Sequence, residues 1–214
     1  MLFQHIIPLA FATTVFSTPA LLGRQTNYPC DGLGSAALET AYDFTLAIYN
    51  VTNGAVSSSG APAALTVVTF SEEDNNGAVV ETNGGLTTYA SYPNTIFPGF
   101  SLINGTLIPS GLNGVTASDF WVYAGSVVLF GWSEQPDLVE PGAPIYCAVP
   151  NAVSEVPYPV LAVNADPSSF SMCLTTDSGA EYYNIVYSAE GGSKYYNYDT
   201  CYPVTVVLQG LSES

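Results

Sequence analysis

Only one stretch of this chain, residues 35–42 around Ala36-Ala37-Leu38-Glu39, has the composition to seed a helical turn. Beyond it the chain is a series of short runs of β-branched and aromatic residues, broken by Gly, Pro, Asn and Ser. Such runs read as strands. The first are Phe44-Thr45-Leu46-Ala47-Ile48-Tyr49 and Leu65–Phe70. Ala78–Glu81 and Leu86–Tyr89 flank Asn83-Gly84-Gly85, and Phe100–Ile103 and Thr106–Ile108 flank Asn104-Gly105. Both flanked pairs are expected to form hairpins, because Asn-Gly supplies the positive φ that tight hairpin turns need. Phe120–Tyr123, Ser126–Trp132, Pro159–Val163, Phe170–Leu174, Tyr182–Tyr187 and Pro203–Leu208 complete the set.

Many short strands at regular spacing predict an all-β fold, a single closed barrel. Three segments begin alike: Phe44-Thr45-Leu46, Phe100-Ser101-Leu102 and Phe170-Ser171-Met172. They predict a threefold, β-trefoil-like organisation, with a β-sandwich as the alternative. In a closed barrel the strands at Phe44–Tyr49 and Val204–Leu208 are expected to pair. No linker divides the chain, so residues 21–214 read as one domain.

The first twenty residues contain no Asp, Glu, Lys or Arg. Their apolar run, Ile6 to Ala12 and on through Val15-Phe16, is followed by Ser17, Thr18, Pro19 and Ala20. Residues 1–20 read as a secretory signal peptide. Pro8 and Pro19 interrupt the run, and a membrane span needs roughly 18 uninterrupted apolar residues. Export agrees with four cysteines, Cys30, Cys147, Cys173 and Cys201, and with the glycosylation sequons at Asn50 and Asn104. Four cysteines allow three pairings. Barrel closure would bring the N-terminal approach to the last strand, so the expected bridges are Cys30–Cys201 and Cys147–Cys173.

Charge excludes several partners. The chain has 18 acidic residues against 2 basic ones, Arg24 and Lys194. A surface of that sign repels phosphate backbones and anionic membranes, so neither nucleic acid nor membrane is an expected partner. Hydrophobic residues make up 48% of the chain and charged residues 9%, the reverse of a disordered sequence. The single histidine, His5, lies in the signal segment. A mature chain without histidine has no Ser-His-Asp triad, no Cys-His dyad and no imidazole metal site. Bridged cysteines leave no thiolate nucleophile. No cofactor is expected.

Taken in order, Phe44-Thr45-Leu46-Ala47, the Phe100–Leu107 hairpin with Gly105, Phe170-Ser171-Met172-Cys173 and Cys201-Tyr202-Pro203-Val204 resemble small secreted proteins of filamentous fungi. These are the phialide-type cell-wall proteins and their IgE-binding relatives. The resemblance implies an extracellular or wall-associated protein without known catalysis. Wall polysaccharide or other wall proteins are its implied partners.

Chemistry-bearing motifs are few. Glu181-Tyr182-Tyr183 resembles the nucleophile strand of a retaining jelly-roll xylanase. Such an enzyme needs a second carboxylate about 5 Å away, and Glu81, Glu134, Glu155 and Glu190 are the candidates. An ordinary strand glutamate beside core tyrosines is the competing interpretation. Asp177-Ser178-Gly179 has the form of an aspartic-protease turn but has no second copy, and reads as a β-turn. Glu72-x-Asp74-x-Asn76-Gly77 alternates oxygen ligands like a calcium loop without its closing glutamate, and reads as a solvated acidic loop. Seven tyrosines lie between Tyr182 and Tyr202. Tyr195, Tyr196 and Tyr198 sit in a segment that is hard to bury and form the expected binding surface. The expected function is a non-catalytic secreted protein that binds carbohydrate or associates with the cell wall. The alternatives are a carboxylate-based glycoside hydrolase using Glu181 and a secreted protease inhibitor.

Overall fold

The computed structural model describes residues 29–210, apart from 53–54, 57–62, 74–78, 94, 136–138, 152–155, 157 and 178–179. The expected signal segment, the centre of the acidic 72–77 loop, Glu155 and Ser178-Gly179 therefore lie outside the described residues. Among those described, the one helical element is a 3-10 turn at Leu112–Gly114. Residues 35–42 form no helical turn. A stretch this short cannot repay helix nucleation. Leu38 instead pairs with Ala148, each backbone N–H bonding the other's carbonyl at 2.8 and 2.9 Å.

The chain is all-β. β1 (Ala41–Thr52) carries β2 (Ala55–Val56) at its end, and β3 (Ala63–Glu73) and β4 (Val79–Thr88) come after it. Next are β5 (Gly99–Ile103), β6 (Thr106–Ser110), β7 (Thr116–Asp119), β8 (Ser126–Val127) and β9 (Leu129–Ser133). The last are β10 (Tyr146–Val149), β11 (Val160–Val163), β12 (Phe170–Asp177), β13 (Ala180–Tyr187) and β14 (Asn197–Gln209). The expected pairing of first and last strands is present: Thr45–Asn50 run antiparallel to Gln209–Val204. On its other edge β1 meets β5 through Phe44/Phe100 and β3 through Ala47/Ala64.

Pairings β1–β3, β3–β4, β4–β13, β13–β12, β12–β14 and β14–β1 return to their start, so the strands form a nearly closed barrel. The narrowest join is Thr87/Asn184 between β4 and β13. Val128 bridges it, accepting from Leu86 N–H at 3.0 Å and donating to Ile185 O at 2.9 Å. One core fills the interior, with Leu46, Leu86, Phe100, Phe130, Met172, Ile185, Val206 and Leu208 fully buried.

Several expectations are corrected. Asn83-Gly84-Gly85 is no hairpin turn. It lies inside β4, paired with β3 on one side and β9 on the other. Glycine serves close packing there, since a Cβ on Gly85 would stand 3.3 Å from Asn184 Oδ1. Asn104-Gly105 does form its hairpin, with φ values of 49° and 80°. Phe120–Tyr123 is irregular rather than a strand, with Val122 buried and Trp121 and Tyr123 exposed. Two of the three Phe-led segments are direct neighbours: the Phe44 and Phe100 rings stack 6.5 Å apart. All three phenylalanines are inward-facing members of one core.

The disulfides are Cys30–Cys147 and Cys173–Cys201, not the expected pairs. β1 pairs only with the C-terminal half of β14, while Cys201 lies in the half that pairs with β12. The Met172/Tyr202 pairing sets Cys173 beside Cys201. The Leu38/Ala148 bridge brings the N-terminal approach to β10 and Cys147.

Candidate functional site

β13 ends at Tyr187, and Ser188 turns the chain with φ 45°. The next residues fold back because Tyr196 is buried against Cys173 and Val186. Its hydroxyl accepts from Glu190 N–H at 2.9 Å and donates to Glu190 O at 3.1 Å. Tyr196, expected at the surface, is therefore the internal anchor of its loop and presents nothing to a ligand. Tyr195 and Tyr198 are 61% and 48% exposed. The Lys194 ammonium stands 4.8 Å from the Tyr195 ring centroid. The Tyr198 ring edge lies 4.0 Å from where a Gly191 Cβ would sit.

Beside this loop is a shallow open groove of about 470 Å³. One wall is Ser168–Ser171, the approach to β12 and its first residues; the other is Ser188–Glu190, with Ala124 and Pro203 at the rim. Ala124 is placed by Gly125, whose N–H bonds Tyr187 O and Ser188 O at 2.8 and 3.0 Å. Asn164 Nδ2 donates to Val122 O at 3.0 Å and fixes the segment that exposes Trp121 and Tyr123.

Asp166 organises the serine wall. It accepts from Ser168 N–H and Ser168 O–H, each at 2.8 Å, from the Ser169 hydroxyl, and from Tyr187 O–H at 3.4 Å. Burial pushes its carboxyl up, but these hydrogen bonds outweigh that and hold it below its ordinary value. No motif marked Asp166. Its only sequence signal is the turn-forming run Asn164-Ala165-Asp166-Pro167-Ser168-Ser169.

Glu181 is exposed on β13, opposite Thr176. Its candidate partners sit elsewhere. Glu190 lies beyond Tyr187, and six residues of strand separate Glu181 from Tyr187 by about 20 Å. From Thr87, paired with Asn184, β4 runs toward Glu81 and away from Glu181. Glu134 comes after β9, whose Gly131 pairs with Asn83, at that same far end. None of these meets the spacing of about 5 Å that a retaining pair needs. Among the described residues no three His, Cys, Asp or Glu side chains group to hold a metal ion.

A second carboxyl lies inside the molecule. Asp119, at the end of β7, is 2% exposed. Its Oδ1 accepts from Ala143 N–H at 3.1 Å, while Oδ2 is buried with no hydrogen-bond partner. Burial, against partial relief from backbone N–H donors, pushes the carboxyl up to about 7. The Tyr146 hydroxyl, also buried and without a partner, is pushed up by burial and by the charge of Asp119. The only sequence signal was an aspartate set in the apolar run Ala117 to Tyr123. Compared with family models, curated proteins and solved structures, the chain matches none.

Proposed function

We propose that the protein is a secreted, N-glycosylated, wall-associated protein that binds cell-wall polysaccharide without catalysing its breakdown. The observation that carries this reading is the serine-bearing groove between Ser168–Ser171 and Ser188–Glu190, with the exposed rings of Tyr195 and Tyr198 on the segment that follows Glu190. Sugar rings offer C–H faces that stack on aromatics and hydroxyls that hydrogen-bond to serines, and this surface supplies both kinds of contact. Two disulfides fit an oxidising compartment. Asn50 and Asn104 are both exposed, as glycan attachment requires. The likeness to phialide-type wall proteins points the same way, and among the described residues none of the candidates Glu81, Glu134 and Glu190 lies opposite Glu181, which favours binding over hydrolysis.

Retention on insoluble chitin and β-glucan tests the reading. The double variant Tyr195→Ala/Tyr198→Ala should lower retention about tenfold, equivalent to about 1.4 kcal/mol. Retention unchanged by that variant removes the tyrosine loop from the site. Release of reducing sugar, abolished by Glu181→Gln, would establish a hydrolase instead.

A further inference from the structure

We infer that the groove takes a chain of protonated amino sugars, a glucosamine-type polymer, in preference to a neutral glucan; this rests on the polysaccharide-binding reading above. Two of the three hydroxyls of the serine wall, those of Ser168 and Ser169, are restricted to accepting hydrogen bonds. Ser168 and Ser169 both give their hydroxyl protons to Asp166, so toward a ligand their oxygens can only accept. Glu190, the one charged residue lining the groove, adds a carboxylate that also only accepts. Gly125, at φ +77°, lets the neighbouring turn approach closely: a Cβ there would stand 2.7 Å from Glu190 Oε1. No cation neutralises that carboxylate among the described residues, because Lys194 is held over the Tyr195 ring.

An ammonium group is the complement of such a surface, with three N–H donors and no acceptor. A neutral hydroxyl brings one donor and no charge, and an N-acetyl group brings one donor and an acceptor. The field of the whole molecule, with a formal net charge of −16, concentrates cationic chains at the surface and repels anionic ones. The exposed ring of Tyr198 adds a face on which cations are held as well as sugar C–H groups.

Calorimetry of the intact, disulfide-bonded secreted protein with glucosamine hexamer and with N-acetylglucosamine hexamer tests the inference. At about pH 5.5, where the sugar amine is protonated, and about 0.05 M salt, the glucosamine hexamer should bind at least about tenfold tighter. Raising salt to about 0.5 M should shrink that preference several-fold, as should Glu190→Gln, which keeps the side chain's shape against Gly125 and removes its charge. Equal affinity for the two hexamers overturns the inference and leaves the polysaccharide reading standing. A preference that Glu190→Gln leaves untouched also overturns it, since diffuse surface charge rather than the groove would then select the ligand. Binding of neither hexamer, with no retention on chitin or β-glucan, overturns the reading beneath it.

Discussion

Asp119 and Asp166 have the same side chain and opposite pKa shifts, and the difference is the depth of burial set against the donors each finds. Asp166 gathers donors from two serines and a tyrosine, whereas Asp119 leaves Oδ2 buried and bare. For Asp119 the folded state binds the proton more tightly than the unfolded chain, with a pKa moved from 3.8 to about 7. Its contribution to stability is therefore complete below about pH 4 and is lost as pH rises through about 7. The shift corresponds to about 4 kcal/mol at most. Asp119→Asn keeps an oxygen for Ala143 N–H and removes the buried charge. It should stabilise the protein by about 2–4 kcal/mol at pH 8 and have little effect at pH 5. Urea midpoints at the two pH values check this, and a variant less stable than the parent at pH 8 contradicts it.

At the scale of elements, the β5–β6 hairpin shows how a turn and its packing add. Gly105 has φ +80° and is wedged so that a Cβ would meet Pro29 Cγ at 2.5 Å and the Pro144 carbonyl carbon at 3.3 Å. Its N–H donates to Glu39 O and its carbonyl accepts from Tyr146 N–H, both at 2.8 Å. The hairpin tip therefore ties the N-terminal approach to the start of β10. Gly114 has nearly the same backbone, φ +81°, with nothing within 4 Å of a Cβ. Gly114→Ala should cost only the left-handed strain, about 1 kcal/mol. Gly105→Ala should cost that plus the displacement of Pro29, about 2 kcal/mol or more. Denaturant midpoints for the pair separate the two terms, and equal losses would show that Pro29 moves aside freely.

For the whole molecule, the two disulfides span very different loops. Cys30–Cys147 are 117 residues apart and Cys173–Cys201 only 28. In the chain-entropy relation the first stabilises by about 5 kcal/mol and the second by about 3.5 kcal/mol. Replacing Cys30 and Cys147 together by alanine should lower the melting temperature more than replacing Cys173 and Cys201. The reverse order would mean that local strain release, not loop closure, dominates. Net charge acts at this scale too. With 18 acidic residues and 2 basic ones, like charges repel one another in the compact state, and Asp119 is a buried carboxyl whose pKa is raised. Stability should rise as pH falls from 8 to about 5. It should then decline below about pH 4, as Asp166, with its depressed pKa, takes up a proton. A melting temperature that falls steadily from pH 7 to pH 5 would contradict this.

Local signals carried far in this chain. Alternating β-branched and aromatic runs determined an all-β fold, and the run at Val204–Leu208 could be matched with Phe44–Tyr49 because a closed barrel must join its ends. Asn104-Gly105 determined its hairpin through backbone conformation alone. Tyr195 and Tyr198 are exposed as expected of a tyrosine-rich segment that is hard to bury. The tertiary structure decided everything that depends on which distant segments meet. Gly84-Gly85 has the same turn-forming residues as the hairpin, yet β3 and β9 flank it and hold it extended. Tyr196 is buried because its loop folds onto Cys173 and Val186. The cysteine pairing results from β14 serving two different neighbours along its length, which no spacing reveals. Asp119, Asp166 and the groove arise only where β7, the turn after β11 and the exit from β13 pack against their neighbours. Burial and donor count set the chemistry of a carboxylate, and both are properties of what surrounds it.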